Sequence, residues 1–151
     1  MASTPATAVI EHLRLSPHPE GGWYAETWRA PSDDGVRPSA SAILYLLAAG
    51  EHSHWHRVDA AEIWQYSAGD PLELRIWAGA GTSVTTHRLG DGTTDESGVP
   101  QVVVPAGAWQ AARPLGAWTL VGCIVSPAFE FAGFELAPDG WEPADAGART
   151  P

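Results

Sequence analysis

The sequence predicts an all-β domain, a sandwich or barrel of short strands. Glycine (16) and proline (13) recur at short intervals among 151 residues, and the runs between them are rich in Trp, Val, Ile, Leu and Thr. No stretch carries a long helical period. A chain of this length buries one ordinary core, so a single domain is expected.

Residues 1–12 form an N-terminal segment in which Ala6 to Leu13 suits a helix of one or two turns, with Met1 to Thr7 expected to be mobile. The stretch "SPHPEGGW" ends any helix, because its prolines and glycines cannot continue one. Glu20 is read there as a cap on the turn and His18 as exposed. Strands follow at Gly22 to Arg29, Ala40 to Ala48, Ser53 to Arg57, Glu62 to Ser67 and Leu72 to Ala78. Further strands are read at Ser83 to Leu89, Gln101 to Pro105, Trp109 to Ala112, Trp118 to Val125 and Glu130 to Leu136. The domain spans 13–143, and 144–151 reads as a flexible tail.

Charge narrows the function. Eight Arg and no Lys face eighteen Asp plus Glu, a formal charge of −10 that repels phosphate backbones and anionic headgroups. Neither nucleic acid nor a membrane is an expected partner; a small-molecule ligand is. The longest apolar run, "SAILYLLAA", is too short to span a bilayer, and no basic-then-apolar leader is visible, so a cytoplasmic location is expected. Cys123 is the sole cysteine and reads as buried.

The chemistry concentrates in "GEHSHWHRVDAAEIWQYSAGD". His54 and His56 are two apart, which on a regular strand puts both imidazoles on one side, about 7 Å apart. Two roles stay open. With Glu62 the pair is a candidate site for a divalent metal (Zn, Ni, Fe or Mn). Without metal, His56 with Glu62 or Asp59 is a candidate base, with Tyr66 or Tyr45 as the acid on the opposite face. Period two groups Glu62, Trp64 and Tyr66 on one face, and Tyr24, Glu26 and Trp28 on another. Candidate substrate contacts are therefore Tyr24, Glu26, Trp28 and Trp64, joined by Gln110 and Arg113 near the barrel mouth. His12, His52 and His87 carry no expected role.

Gly50, His54, His56, Glu62 and Gly69 resemble the first cupin motif, and Gly98, Pro105, Gly107 and Gln110 resemble the second. The segments "LRLSPHPEGGWYAETWR", "HWHRVDAAEIWQYSAGDPLEL", "VVVPAGAWQAARP" and "VGCIVSPAFEFAGFEL" are similar to the DUF985 (Cupin_5) branch. The resemblance implies a double-stranded β-helix of the jelly-roll type and a homodimer, for which "SAILYLL" is the candidate pairing strand. It also implies a small-molecule-binding protein, acting as an isomerase or epimerase on a sugar-like or anionic metabolite. The alternatives are a metal-dependent oxygenase or hydrolase and a non-catalytic binding or sensor module. Two departures bear on the site. Five residues, rather than three or four, separate His56 from Glu62, which reverses the parity of Glu62 unless a bulge restores it, and Gln110 stands where metal-binding cupins offer His.

Overall fold

The computed structural model describes residues 3–144, so the expected tail from 145 onward lies outside the described residues. Among the described residues helix α1 (Ala6–Leu13) precedes eleven strands. They are β1 (Ser16–Pro17), β2 (Trp23–Arg29), β3 (Ser41–Ala48), β4 (Ser53–Val58), β5 (Ala61–Gly69) and β6 (Leu72–Trp77), then β7 (Thr85–Leu89), β8 (Gln101–Val104), β9 (Trp109–Pro114), β10 (Trp118–Ser126) and β11 (Phe134–Leu136). One sheet has the order β1-β2-β3-β10-β5-β8 and the other β11-β4-β9-β6-β7. From β3 to β6 the chain changes sheet at every step, which is the jelly-roll path.

Tight corners make those changes. Gly69 (φ +87) ends β5, and a Cβ there would stand 2.4 Å from the Trp118 carbonyl oxygen, so only glycine fits. Asp70 then holds the Ala117 amide, and the Thr119 hydroxyl donates to the Asp70 carbonyl. Between the sheets lies one cluster built on Tyr45, Leu47, Trp64, Leu72, Leu74, Leu89 and Val121, which fills one end of the barrel. Each fully buried large apolar side chain contributes at most about 1.5–3 kcal/mol.

The outer faces are covered unequally. Helix α1 packs through Val9, Ile10 and Leu13 on Leu46, Leu120 and Trp23 of the six-stranded sheet. The Trp118 indole donates to the Thr4 carbonyl, which ties Thr4 to β10. Trp141 closes over Trp55, Trp77 and Trp109 on the outside of the other sheet.

Three features depart from the reading of the sequence. Strand β3 is paired on both edges, by β2 and β10, so it has no free edge to offer a second copy. The strand read at Glu130 to Leu136 forms only over Phe134–Leu136. A 3-10 turn at Phe131–Gly133 makes the rest the end of a strap running from β10 to β11. Bulges interrupt β2 between Glu26 and Trp28 and β4 between Ser53 and His56, so period two fails at both.

Candidate functional site

The open end of the barrel holds a cavity of about 290 Å³. Its inner wall carries His18, Glu20, Tyr24, His56, Glu62 and Cys123; Ile43, Val58, Val125 and the strap's Phe129, Phe131 and Phe134 make most of the rest apolar. Arg29 Nη2 donates to the Phe129 carbonyl and Arg37 Nε to the Ala128 carbonyl, both at 2.8 Å, which fastens the strap over the cavity.

His56 and Glu62 face this one space from opposite sheets. Two residues, Asp59 and Ala60, make the corner between β4 and β5, so parity within one strand does not govern their relation. The direct partner of His56 is Glu20, with Nδ1 2.8 Å from Oε2. The same nitrogen donates to the His54 carbonyl at 2.8 Å, so Nδ1 carries a proton and Nε2 has no protein partner among the described residues. Ser53 Oγ donates to Glu20 Oε2 at 2.7 Å; the β4 bulge turns both Ser53 and His56 inward. Glu20 is therefore a buried anion inside the barrel and no turn cap. Sequence reading missed it because a carboxylate beside two glycines looks like turn chemistry; the flanking "PHPEGG" stiffness was the available signal.

His18 is also inside, 5% exposed at its side chain and stacked edge-on against Tyr24 with centroids 4.5 Å apart. The Glu20 backbone amide donates to its Nδ1 at 3.1 Å, nearer than Glu20 Oε1 at 3.3 Å, and because an amide can only donate, the His18 proton is placed on Nε2.

The charges follow from burial and neighbours. Burial raises a carboxyl and lowers an imidazole. For Glu20, burial is overcome by the charge and hydrogen bond of His56, and its pKa is lowered. For His56, burial is overcome by the charge and hydrogen bond of Glu20 and then by Glu62, lifting it to about 9. For Glu62, burial dominates over the attraction of His56, and the Glu20 charge adds to it, so this carboxyl rises to about 7. Burial lowers His18, which stays neutral. At neutral pH the cavity holds an imidazolium–carboxylate pair beside a carboxyl poised between its two forms.

Gln110 supports that carboxyl. Trp64 Nε1 donates to Gln110 Oε1 at 2.7 Å, and Gln110 Nε2 donates to Glu62 Oε2 at 2.8 Å. Both Trp64 and Gln110 are buried behind the cavity and do not line it.

Other expected residues lie elsewhere. His54 points to the outer side of its sheet, where Nε2 meets the Pro138 carbonyl at 2.9 Å, so it does not converge with His56. It borders a separate outer groove of about 360 Å³ with Arg113, whose guanidinium is held by Glu73 at 2.9 Å. Tyr66 stands beyond Trp64, its hydroxyl donating to the Gly69 carbonyl, and does not reach the cavity. Trp28 is turned outward by the β2 bulge and is 52% exposed. Tyr24 does line the cavity, and Glu26 lies at its rim, accepting two 3.0 Å hydrogen bonds from Arg29.

The donor set expected for a metal therefore does not fit one. His54 is on the other face, the Gln110 oxygen is occupied by Trp64, and only His56 and Glu62 share a space. Among the described residues no group of three or more His, Cys, Asp or Glu side chains is arranged to hold a metal ion.

Residues 7–137 match the family model described as Cupin superfamily (DUF985). A hypothetical protein from Leishmania major superposes with a TM-score of 0.80 at 30% identity, over 89% of this chain and 88% of its own. A protein of Shewanella oneidensis superposes with a TM-score of 0.83 at 36% identity, over 89% and 85%. A mutant Bacillus subtilis oxalate decarboxylase, at 14% identity and a TM-score of 0.60 over 80% of this chain and 29% of its own, shares the fold alone. No curated protein matches the sequence.

Proposed function

Starting from a chain that belongs to the DUF985 family of the cupin superfamily, we propose that it binds a small molecule in the barrel cavity and moves a proton on a carbon beside a carbonyl group. One observation carries this reading: Glu62, held at about 7, faces the same cavity as His56, held at about 9. A base works best with a pKa near ambient pH, and a positive donor at the carbonyl oxygen stabilises the charge that develops there.

The Glu62 carboxylate takes the proton from carbon, and the C–H electron pair moves into the carbonyl, whose oxygen becomes an enolate. The His56 Nε2–H donates to that oxygen. Glu20 keeps the imidazole oriented and charged, and Gln110 fixes the rotamer of Glu62. The proton then returns from Glu62 to the same carbon or a neighbouring one. With Tyr66 outside the cavity, Glu62 is the one base this reading assigns, which suits isomerisation by tautomeric shift better than epimerisation. No step is routed through a metal, because the residues do not fit one.

Solvent-exchange NMR tests the reading. In deuterated buffer the protein is expected to wash deuterium into the α-position of a panel of small aldehydes and ketones, and Glu62→Gln is expected to lose about 10²–10⁴ of that rate. A rate in Glu62→Gln equal to that of the unaltered protein would refute it.

A second copy of the chain is the proposed protein partner. Trp28, Ala42, Ile124, Ile63 and Val103 align across five strands on the part of the six-stranded sheet that α1 leaves open. Trp28, Ile124 and Val103 are all exposed there, an apolar row that a symmetric dimer would cover. No helix among the described residues is long and apolar enough to cross a membrane.

A further inference from the structure

The walls of the cavity define the charge of what enters it. Two cations line it, and each is already answered: His56 by Glu20, and Arg29 by both oxygens of Glu26. Glu62 and Glu130 add two further carboxyls to the lining. An anion would meet no unpaired cation there and would lose its hydration against an acid-rich, mostly apolar wall. The expectation of an anionic metabolite does not suit such a space.

Beside the carboxyls the cavity offers two imidazole donors. Among the described residues His56 Nε2 has no protein partner, and neither has His18 Nε2, whose proton is fixed by the amide bonded to Nδ1. No deeply buried polar side-chain atom among the described residues lacks a hydrogen-bond partner, so these two nitrogens open onto the cavity they line. Donors require an acceptor. An ammonium would oppose both, and it would lie against the imidazolium. Beyond them the strap presents Phe129, Phe131 and Phe134, three phenyl rings packed edge to face with centroids 5.0, 5.7 and 6.2 Å apart. That wall suits a flat apolar body.

We propose that the cavity takes an uncharged, flat carbonyl compound, whose oxygen is held jointly by the Nε2–H groups of His18 and His56 while its apolar body rests against the phenylalanines of the strap. His18 then becomes a second substrate-contacting residue. The inference rests on the assignment of the cavity as the ligand site, but its test does not depend on turnover.

Benzamide, benzoate and benzamidinium have nearly the same size and shape and differ in charge, and acetophenone supplies a carbonyl without an amide. Titration calorimetry with the whole protein at neutral pH is expected to show benzamide and acetophenone bound at least about tenfold more tightly than benzoate or benzamidinium. In ¹⁵N spectra of the histidine side chains, the two neutral probes are expected to shift the Nε2 resonances of both His18 and His56. His18→Phe, which keeps the ring packing against Tyr24, is expected to weaken both neutral probes by about tenfold through the lost hydrogen bond. Benzoate or benzamidinium binding as tightly as benzamide would overturn the proposal. So would a bound neutral probe that leaves His18 Nε2 unmoved, or no binding by any of the four at millimolar concentration. Selective binding of the neutral probes without α-deuteration of any ketone would support this inference while removing the catalytic reading.

Discussion

In the proposed reaction Glu62 and His56 act in opposite protonation states, and that sets a pH dependence. The base must be ionised, which requires pH above about 7, and the imidazolium must keep its proton, which requires pH below about 9. The rate of α-deuteration at low substrate concentration is therefore expected to rise through about 7 and fall through about 9. Glu20 supplies most of what holds His56 charged, so Glu20→Gln is expected to move the falling limb down towards the ordinary histidine value of 6.5. A purely structural role for Glu20 would lower the rate at every pH and leave that limb in place. Of this arrangement, the sequence offered His56 and Glu62 as a candidate pair. It did not show that Glu20 is the partner of the imidazole, because that pairing joins the turn between β1 and β2 to β4 and no local pattern encodes it.

The turn from His18 to Gly22 is the element that delivers two of the four polar groups. His18 N donates to the Gly22 carbonyl and Gly21 N to the His18 carbonyl, closing the turn, and the Tyr45 hydroxyl donates to the Gly21 carbonyl from the core. Gly21 has φ +105, and a Cβ on it would stand 2.2 Å from the His52 carbonyl oxygen. Gly21→Ala is expected to cost about 2 kcal/mol or more in urea denaturation, and to return the His56 midpoint towards its ordinary value as Glu20 is displaced. The strands themselves were legible from Gly and Pro punctuation and β-branched runs. The faces were less so. Bulges in β2 and β4 each insert one residue, and this alone sends Trp28 and His54 outward while turning Ser53 and His56 in. Bulges arise from pairing with the next strand, so a single-strand pattern cannot announce them. Glu62 is the converse case. The extra residue before it was expected to reverse its side, yet a change of sheet at Asp59–Ala60 restores an inward carboxyl.

At the scale of the molecule, the buried charges shape stability as well as chemistry. The folded His56 value exceeds the unfolded one, so its stabilisation is complete below 6.5 and is lost as pH climbs through about 9. Glu62 is also raised, and its contribution is complete below 4.5 and lost through about 7. Glu20 is lowered and contributes above 4.5, losing its part in acid as pH falls through its folded value. Stability against urea is thus expected to fall by on the order of 2 kcal/mol between mildly acidic and alkaline pH, with a shallower fall in Glu20→Gln. The same scale governs assembly: Ile124→Asp places a charge in the middle of the open apolar row and is expected to halve the mass seen by light scattering. A dimeric mass in that variant, or a monomeric one before substitution, would remove the proposed interface.

The account depends most on an imidazolium buried next to Glu20 and facing Glu62. Following the ¹⁵N resonances of the His56 side chain from acid to alkaline pH measures this directly. The ring is expected to stay doubly protonated past neutrality, with a midpoint near 9. A midpoint at or below 6.5 would mean a neutral imidazole in the cavity and would contradict the proposed chemistry.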